Sequence, residues 1–98
     1  MSETFSKIHI QIVFAVKGRA SLIHQKWDEE LYMYIAGIIN AKGQKMMAIN
    51  GVADHIHIFI GMRPSCNLPD LVREIKKSST TFINAKKLTE GPFRWQNG

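Results

Sequence analysis

The stretch His55-Ile56-His57-Ile58-Phe59-Ile60-Gly61 alternates without a break. In an extended chain successive side chains point to opposite faces, so Ile56, Ile58 and Ile60 share one side and His55, His57 and Phe59 the other. A strand that is wholly aliphatic on one face must bury that face, since each large aliphatic side chain contributes about 1.5–3 kcal/mol when removed from water. The histidine face is then left outward. This strand fixes the orientation of everything around it.

Working outward, residues 5 to 16 read as a second strand with the same design. Ile8, Ile10, Ile12, Phe14 and Val16 fall at period two, with Lys7, His9 and Gln11 opposite them. Lys17-Gly18-Arg19 ends it as a basic turn. A helix is predicted from about Lys26 to Lys42. Asp28, Glu29 and Glu30 suit the positive end of its dipole, Trp27, Leu31, Ile35, Ile38 and Ile39 form a buried stripe, and Gly43 is the stop. Lys45 to Val52 reads as a strand whose alternation is blurred at Met46-Met47, with a turn or bulge signal at Asn50-Gly51.

After the histidine strand comes a turn at Arg63-Pro64-Ser65. A second helix then begins at Asn67, a good N-cap, with Asp70 three residues on as in a capping box. Leu68, Leu71, Val72, Ile75, Ser79, Phe82 and Ile83 share its mostly apolar face, and Arg73, Lys76, Lys77 and Thr80 another. Beyond Gly91-Pro92, Phe93-Arg94-Trp95 begins a last, truncated strand. The order β-α-β-β-α-β is that of a ferredoxin-like antiparallel sheet, an α+β fold with both helices on one face. Burial of the isoleucine rows against those helices puts His55, His57, His9 and Gln11 together on the open face.

Composition bounds the rest. A chain of 98 residues is read as one domain, and no apolar run approaches the ~20 residues needed to cross a bilayer. Met1 to Phe5 lacks the basic and apolar regions of a secretory signal, so the cytoplasm is expected. The single Cys66 cannot form an internal disulfide and reads as a small loop or cap residue. Thirteen Lys and Arg against eight Asp and Glu give a net charge of +5, which favours polyanionic partners, nucleic acid above all.

Two histidines at period two on a strand project side by side, about 7 Å apart at Cα, close enough for one cation. Imidazole suits zinc, manganese, iron, nickel or copper, and a neighbouring carboxylate or amide extends the choice to magnesium. A solvated pair of histidines is the plainer account of the same residues. Asp54, just before the pair, is either an acid that orients a ligand or a turn residue.

The segment from Asn50 to Ile60, with Asp54-His55-Ile56-His57 at its centre, resembles the signature of single-tyrosine HUH transposases of the insertion-sequence-200 type. Three more segments match in order: residues 9–19, residues 68–79, and Phe93-Arg94-Trp95-Gln96-Asn97-Gly98. The resemblance implies a transposase that binds single-stranded hairpin DNA as a homodimer. It implies a divalent cation, magnesium or manganese, on His55 and His57, and cleavage and strand transfer through a 5′-phosphotyrosine. His9, Gln11 and Asp54 are further candidates for the active-site face. Lys17, Arg19, Arg63, Arg73, Lys76 and Lys77 are candidate DNA contacts.

In that family the tyrosine and a third metal ligand belong to a helix after the Phe-Arg-Trp segment. The expectation is therefore a single HUH domain over residues 1–98 without its catalytic helix and without a catalytic tyrosine, unable to cleave alone. Tyr32 and Tyr34 lie on the first helix, on the wrong side of the sheet to replace it. A non-catalytic hairpin-binding remnant or regulator is the alternative. An RNA-binding domain of the same fold would need several aromatic residues on the open face, where only Phe59 is well placed.

Overall fold

The computed structural model describes residues 8–96. The elements run β1 (Ile8–Ala15), α1 (Asp28–Ala41), β2 (Lys45–Val52), β3 (His55–Met62) and α2 (Leu68–Ala85), with a single 3-10 turn at Lys17–Arg19. The sheet is antiparallel in the order β1-β3-β2, so the histidine strand is central. Phe93-Arg94-Trp95 forms no full strand among the described residues. It makes an isolated antiparallel bridge, Trp95 to Val16, with Gln96 N–H donating to the Ala15 carbonyl at 2.7 Å along the free edge of β1. The α+β class and the placement of the helices agree with expectation, and the fourth strand is reduced to that bridge. The predicted start of β1 at residues 5–7 lies outside the described residues.

One hydrophobic core joins the sheet to both helices. Ile56, Ile58 and Ile60 are fully buried against Leu31, Ile35 and Ile39 of α1 and Leu71, Ile75 and Ile83 of α2. The β1 row behaves differently from expectation. Phe14 and Val16 are buried, Ile10 and Ile12 only partly, and Ile8 is 42% exposed. The reason is neighbourhood: β1 is a rim strand, and among the described residues only its C-terminal end is flanked, by Trp95. Periodicity chooses a face but does not supply the neighbour that closes over it.

Helix ends follow their residues. Gly43, at φ +80°, sits past α1, with Gly43 N–H donating to Asn40 and Gln44 N–H to Ile39 carbonyls, which satisfies the last turn. The Asn67 side chain accepts from Asp70 N–H at 3.2 Å and caps α2. The Asp70 carboxylate does not complete a reciprocal capping box; it pairs with Arg73 at 2.6 Å instead.

The Asn50-Gly51 signal is corrected. β2 continues through Gly51, which faces Ile56, and the hairpin turns at Ala53-Asp54. The irregularity falls between Met46 and Ala48, where the alternation blurs. Gly51 is needed for close approach: a Cβ there would lie 2.6 Å from the His55 carbonyl oxygen and 2.9 Å from Ile56 Cα.

The last described segment is clasped to α2. Trp95 Nε1–H donates to Ser79 Oγ at 2.9 Å, and that hydroxyl donates to the Ile75 carbonyl at 2.6 Å. Asn84 brackets Phe93, accepting its N–H at 2.7 Å and donating to its carbonyl at 3.1 Å. Ser79, which counts among the apolar-face positions of α2, is thus the buried hydrogen-bonding partner of a tryptophan.

Candidate metal and nucleic-acid sites

Because Ile56 and Ile58 point into the core, His55 and His57 stand on the open face in the middle of the sheet. Their ring centroids are 4.9 Å apart, edge to face. Val13 and Asn50 flank His57 in the register, and Ala15 and Val52 flank His55. The face is less polar than expected: Val13, Val52 and Phe59 are all exposed there.

Each imidazole has a partner on Nδ1. His55 Nδ1 lies 2.7 Å from Asp54 Oδ1. A carboxylate can only accept, so Nδ1 carries the proton and the Nε2 lone pair is free. Arg19 Nε approaches the other carboxylate oxygen at 3.4 Å. The His55 hydrogen bond, helped by the Arg19 guanidinium and opposed by partial desolvation, holds the Asp54 carboxyl below the usual carboxylate range. Asp54 therefore stays an acceptor at neutral pH. Arg19 does this from a left-handed backbone, φ 56°, a conformation non-glycine residues rarely hold.

His57 Nδ1 is engaged by Gln11, whose Nε2–H donates to it at 2.9 Å. In this arrangement the imidazole proton sits on Nε2. Turning the carboxamide over presents its oxygen to Nδ1, moves the proton there, and frees Nε2 as it is freed on His55. Both rings can thus offer Nε2 to one ion while a second residue holds Nδ1, the arrangement that orients histidine ligands in metal sites. The donors fit a divalent ion held by two imidazoles. Among the described residues no group of three His, Cys, Asp or Glu side chains converges, so these residues supply two ligands and not a closed cage.

Removing the acceptor tests this geometry. Asp54→Ala is expected to weaken manganese binding by about 10–100-fold, the usual effect of losing an outer partner of a ligating histidine. Isothermal titration of both proteins reads the difference.

The other expected site residues divide. Gln11 and Asp54 join the pair, whereas His9 stacks on Phe59 with ring centroids 5.8 Å apart, one register step beyond it. Lys17, Arg73, Lys76 and Lys77 line one groove between α2 and residues 94–95. Arg94 belongs to the same groove and was not among the expected contacts. Its signal was present in the sequence, since inward Phe93 and Trp95 force the residue between them outward. Arg19 turns to Asp54. Arg63 lies at the far end of the sheet, beside a hollow shared with Lys42 and Cys66, and its N–H donates to Gln44 Oε1 at 2.8 Å.

Tyr32 and Tyr34 are on α1, across the sheet from the histidines. Tyr34 stacks on Phe82 with centroids 4.4 Å apart. Burial, and secondarily the Asp28 charge, push the Tyr32 phenol above its ordinary range, which disfavours the phenolate. No helix among the described residues is long and apolar enough to cross a membrane.

Against known proteins, the family described as "Transposase IS200 like" matches residues 4–98. Two solved structures share the fold. A candidate transposase from Deinococcus radiodurans R1 superposes with a TM-score of 0.80 at 17% identity, over 100% of this chain and 84% of that one. A REP-associated tyrosine transposase bound to a REP hairpin superposes with a TM-score of 0.69, also at 17% identity, over 100% of this chain and 57% of that one. No curated protein sequence matches the chain.

Proposed function

The chain belongs to the IS200-like transposases, and from that premise we propose that it binds single-stranded hairpin DNA on its histidine face as a homodimer and holds a divalent cation that serves DNA cleavage and strand transfer through a 5′-phosphotyrosine, a step these 98 residues do not carry out alone. The observation that carries this reading is the pair His55 and His57 side by side on the open face, His55 held at Nδ1 by Asp54 so that its Nε2 is free, and His57 held at Nδ1 by Gln11, whose carboxamide turns over to free the second Nε2. Magnesium or manganese bound there would polarise a scissile phosphate and stabilise the leaving oxygen. His55 and His57 hold the ion, Asp54 fixes the His55 tautomer, Arg19 lies against the second Asp54 oxygen, and Gln11 orients His57. Lys17, Arg73, Lys76 and Lys77 neutralise DNA phosphates.

In this reading the nucleophile of a 5′-phosphotyrosine intermediate is neither Tyr32 nor Tyr34. Both stand on the helix side of the sheet, and Tyr32 resists ionisation. The same placement favours a second reading of the 98 residues taken alone, as a hairpin binder that occupies DNA without cutting it.

The test is a labelled hairpin oligonucleotide incubated with the 98-residue protein and manganese. Binding is expected in native conditions, tighter than to an unstructured strand of equal length, with no covalent adduct after denaturation. Equal binding of the two strands would remove the hairpin assignment. An adduct on Tyr32 or Tyr34 would overturn the exclusion of those residues.

A further inference from the structure

Asp54 is gripped at three atoms. Its Oδ1 lies 2.7 Å from His55 Nδ1, its Oδ2 lies 3.4 Å from Arg19 Nε, and its backbone carbonyl accepts Val16 N–H at 2.9 Å. A carboxylate with one partner can swing about its side-chain torsions. One held at both oxygens cannot swing without breaking a contact.

Two of the three contacts come from one short turn, residues 16–19. Gly18 and Arg19 hold φ of 70° and 56° in succession. Glycine takes this left-handed region freely, whereas the Cβ of an arginine is crowded there. All four N–H groups of the turn are engaged. Val16 donates to Asp54, Lys17 to the Arg94 carbonyl at 3.0 Å, and Arg19 to the Val16 carbonyl at 2.7 Å. Gly18 alone donates to a side chain, Gln96 Oε1 at 3.1 Å. Gln96 is itself fixed along its backbone: its N–H donates to the Ala15 carbonyl at 2.7 Å, and its carbonyl accepts from Lys76 Nζ at 3.0 Å. A strained residue persists where the surrounding structure holds it to a purpose. The Arg19 side chain ends on Asp54.

We propose that Arg19 is a positioning residue for the metal pair and that Gln96 seats it. The Gln96 carboxamide holds the left-handed turn, the turn lays the guanidinium on Asp54, and Asp54, fixed at both oxygens, keeps the His55 ring aimed at the ion. This rests on the divalent-metal reading of His55 and His57. Arg19 acts through Asp54 and does not touch the ion. Its side chain is 60% exposed, so its effect falls in the range of exposed ion pairs, about two- to fivefold in affinity.

Manganese affinity, by calorimetry at one ionic strength, and the urea midpoint are compared across a set of variants. These are Arg19→Gly, Gln96→Ala, Asp54→Ala, Arg19→Gly/Asp54→Ala and His57→Ala, beside the wild type. Charge and positioning predict opposite signs. Removing a cation near a bound dication tightens manganese on charge alone, whereas losing the grip on Asp54 weakens it. Arg19→Gly is expected to bind manganese about two- to fivefold more weakly, with a midpoint that holds or rises because glycine suits the turn. Gln96→Ala, which changes no charge, should weaken binding in the same direction and by no more. With Asp54 already alanine, Arg19→Gly should cause no further weakening. Equal or tighter binding by Arg19→Gly, a lowered midpoint, or a further loss on the Asp54→Ala background would overturn the assignment. Wild-type affinity in Gln96→Ala would remove Gln96 from it. Loss of affinity in His57→Ala separates these failures from failure of the metal reading. If His57→Ala binds manganese as the wild type does, that reading falls and this assignment with it.

Discussion

Replacing His57 by alanine is expected to abolish manganese binding in the micromolar-to-millimolar range while leaving the fold intact. The ring is half-buried on the open face and contributes nothing to the core, which lies on the other side of β3. Its loss leaves one imidazole, and the described residues hold no third His, Cys, Asp or Glu to compensate. The loss should exceed the about 10–100-fold expected for an outer partner such as Asp54, because a coordinate bond is removed and not merely its orientation. Calorimetric titration measures the affinity, and far-ultraviolet circular dichroism verifies the fold. An unchanged manganese affinity would remove His57 from the site.

The largest effect on stability is expected from Trp95→Ala. Trp95 is 5% exposed, packs edge to face on Phe93 at 4.8 Å and tilts against Phe14 at 5.6 Å. Its indole N–H ends the chain of hydrogen bonds that runs through Ser79 to the Ile75 carbonyl. Truncation of a buried aromatic side chain costs about 3–5 kcal/mol, a large share of the ~5–15 kcal/mol that separates folded from unfolded states in a small domain. Urea unfolding monitored by circular dichroism should show the midpoint falling sharply. Because Ser79 keeps its bond to Ile75 in the variant, the loss reflects packing. A change under 1 kcal/mol would mean that the 93–96 segment is not part of the cooperative unit.

How far the sequence carried the fold depended on whether a feature was local. β3 and the stripes of both helices were legible because burial repeats at the period of the element itself. The side of the sheet taken by Tyr32 and Tyr34 followed from the same reasoning. Ile8 was misjudged because its burial depends on a neighbouring strand and not on its own alternation. Asn50-Gly51 was misleading because the dipeptide favours turns wherever it occurs, while here Gly51 is required by the close approach of β3.

The site divided along the same line. A His-x-His pair and its face could be read from period two. Which polar neighbour would touch it could not. His9 and Gln11 are equivalent in alternation, and only the register, Gln11 opposite Phe59 and His9 opposite Gly61, gives Gln11 to His57 and His9 to Phe59. Asp54 was recognisable by adjacency to His55, but its tie to Arg19 was not, since Arg19 read as a free phosphate contact. The groove was least legible of all. Its cations are separated by more than fifty residues in sequence, between Lys17 and Arg73, and meet only through the Val16–Trp95 bridge.

The central claim is that His55 and His57 bind one divalent ion together through Nε2. Pulsed electron paramagnetic resonance of the manganese-loaded protein tests it most directly, because nitrogen couplings count the imidazoles on the metal. Two histidine nitrogens are expected in the wild type and one in His57→Ala. A wild-type spectrum without histidine nitrogen coupling would contradict the account.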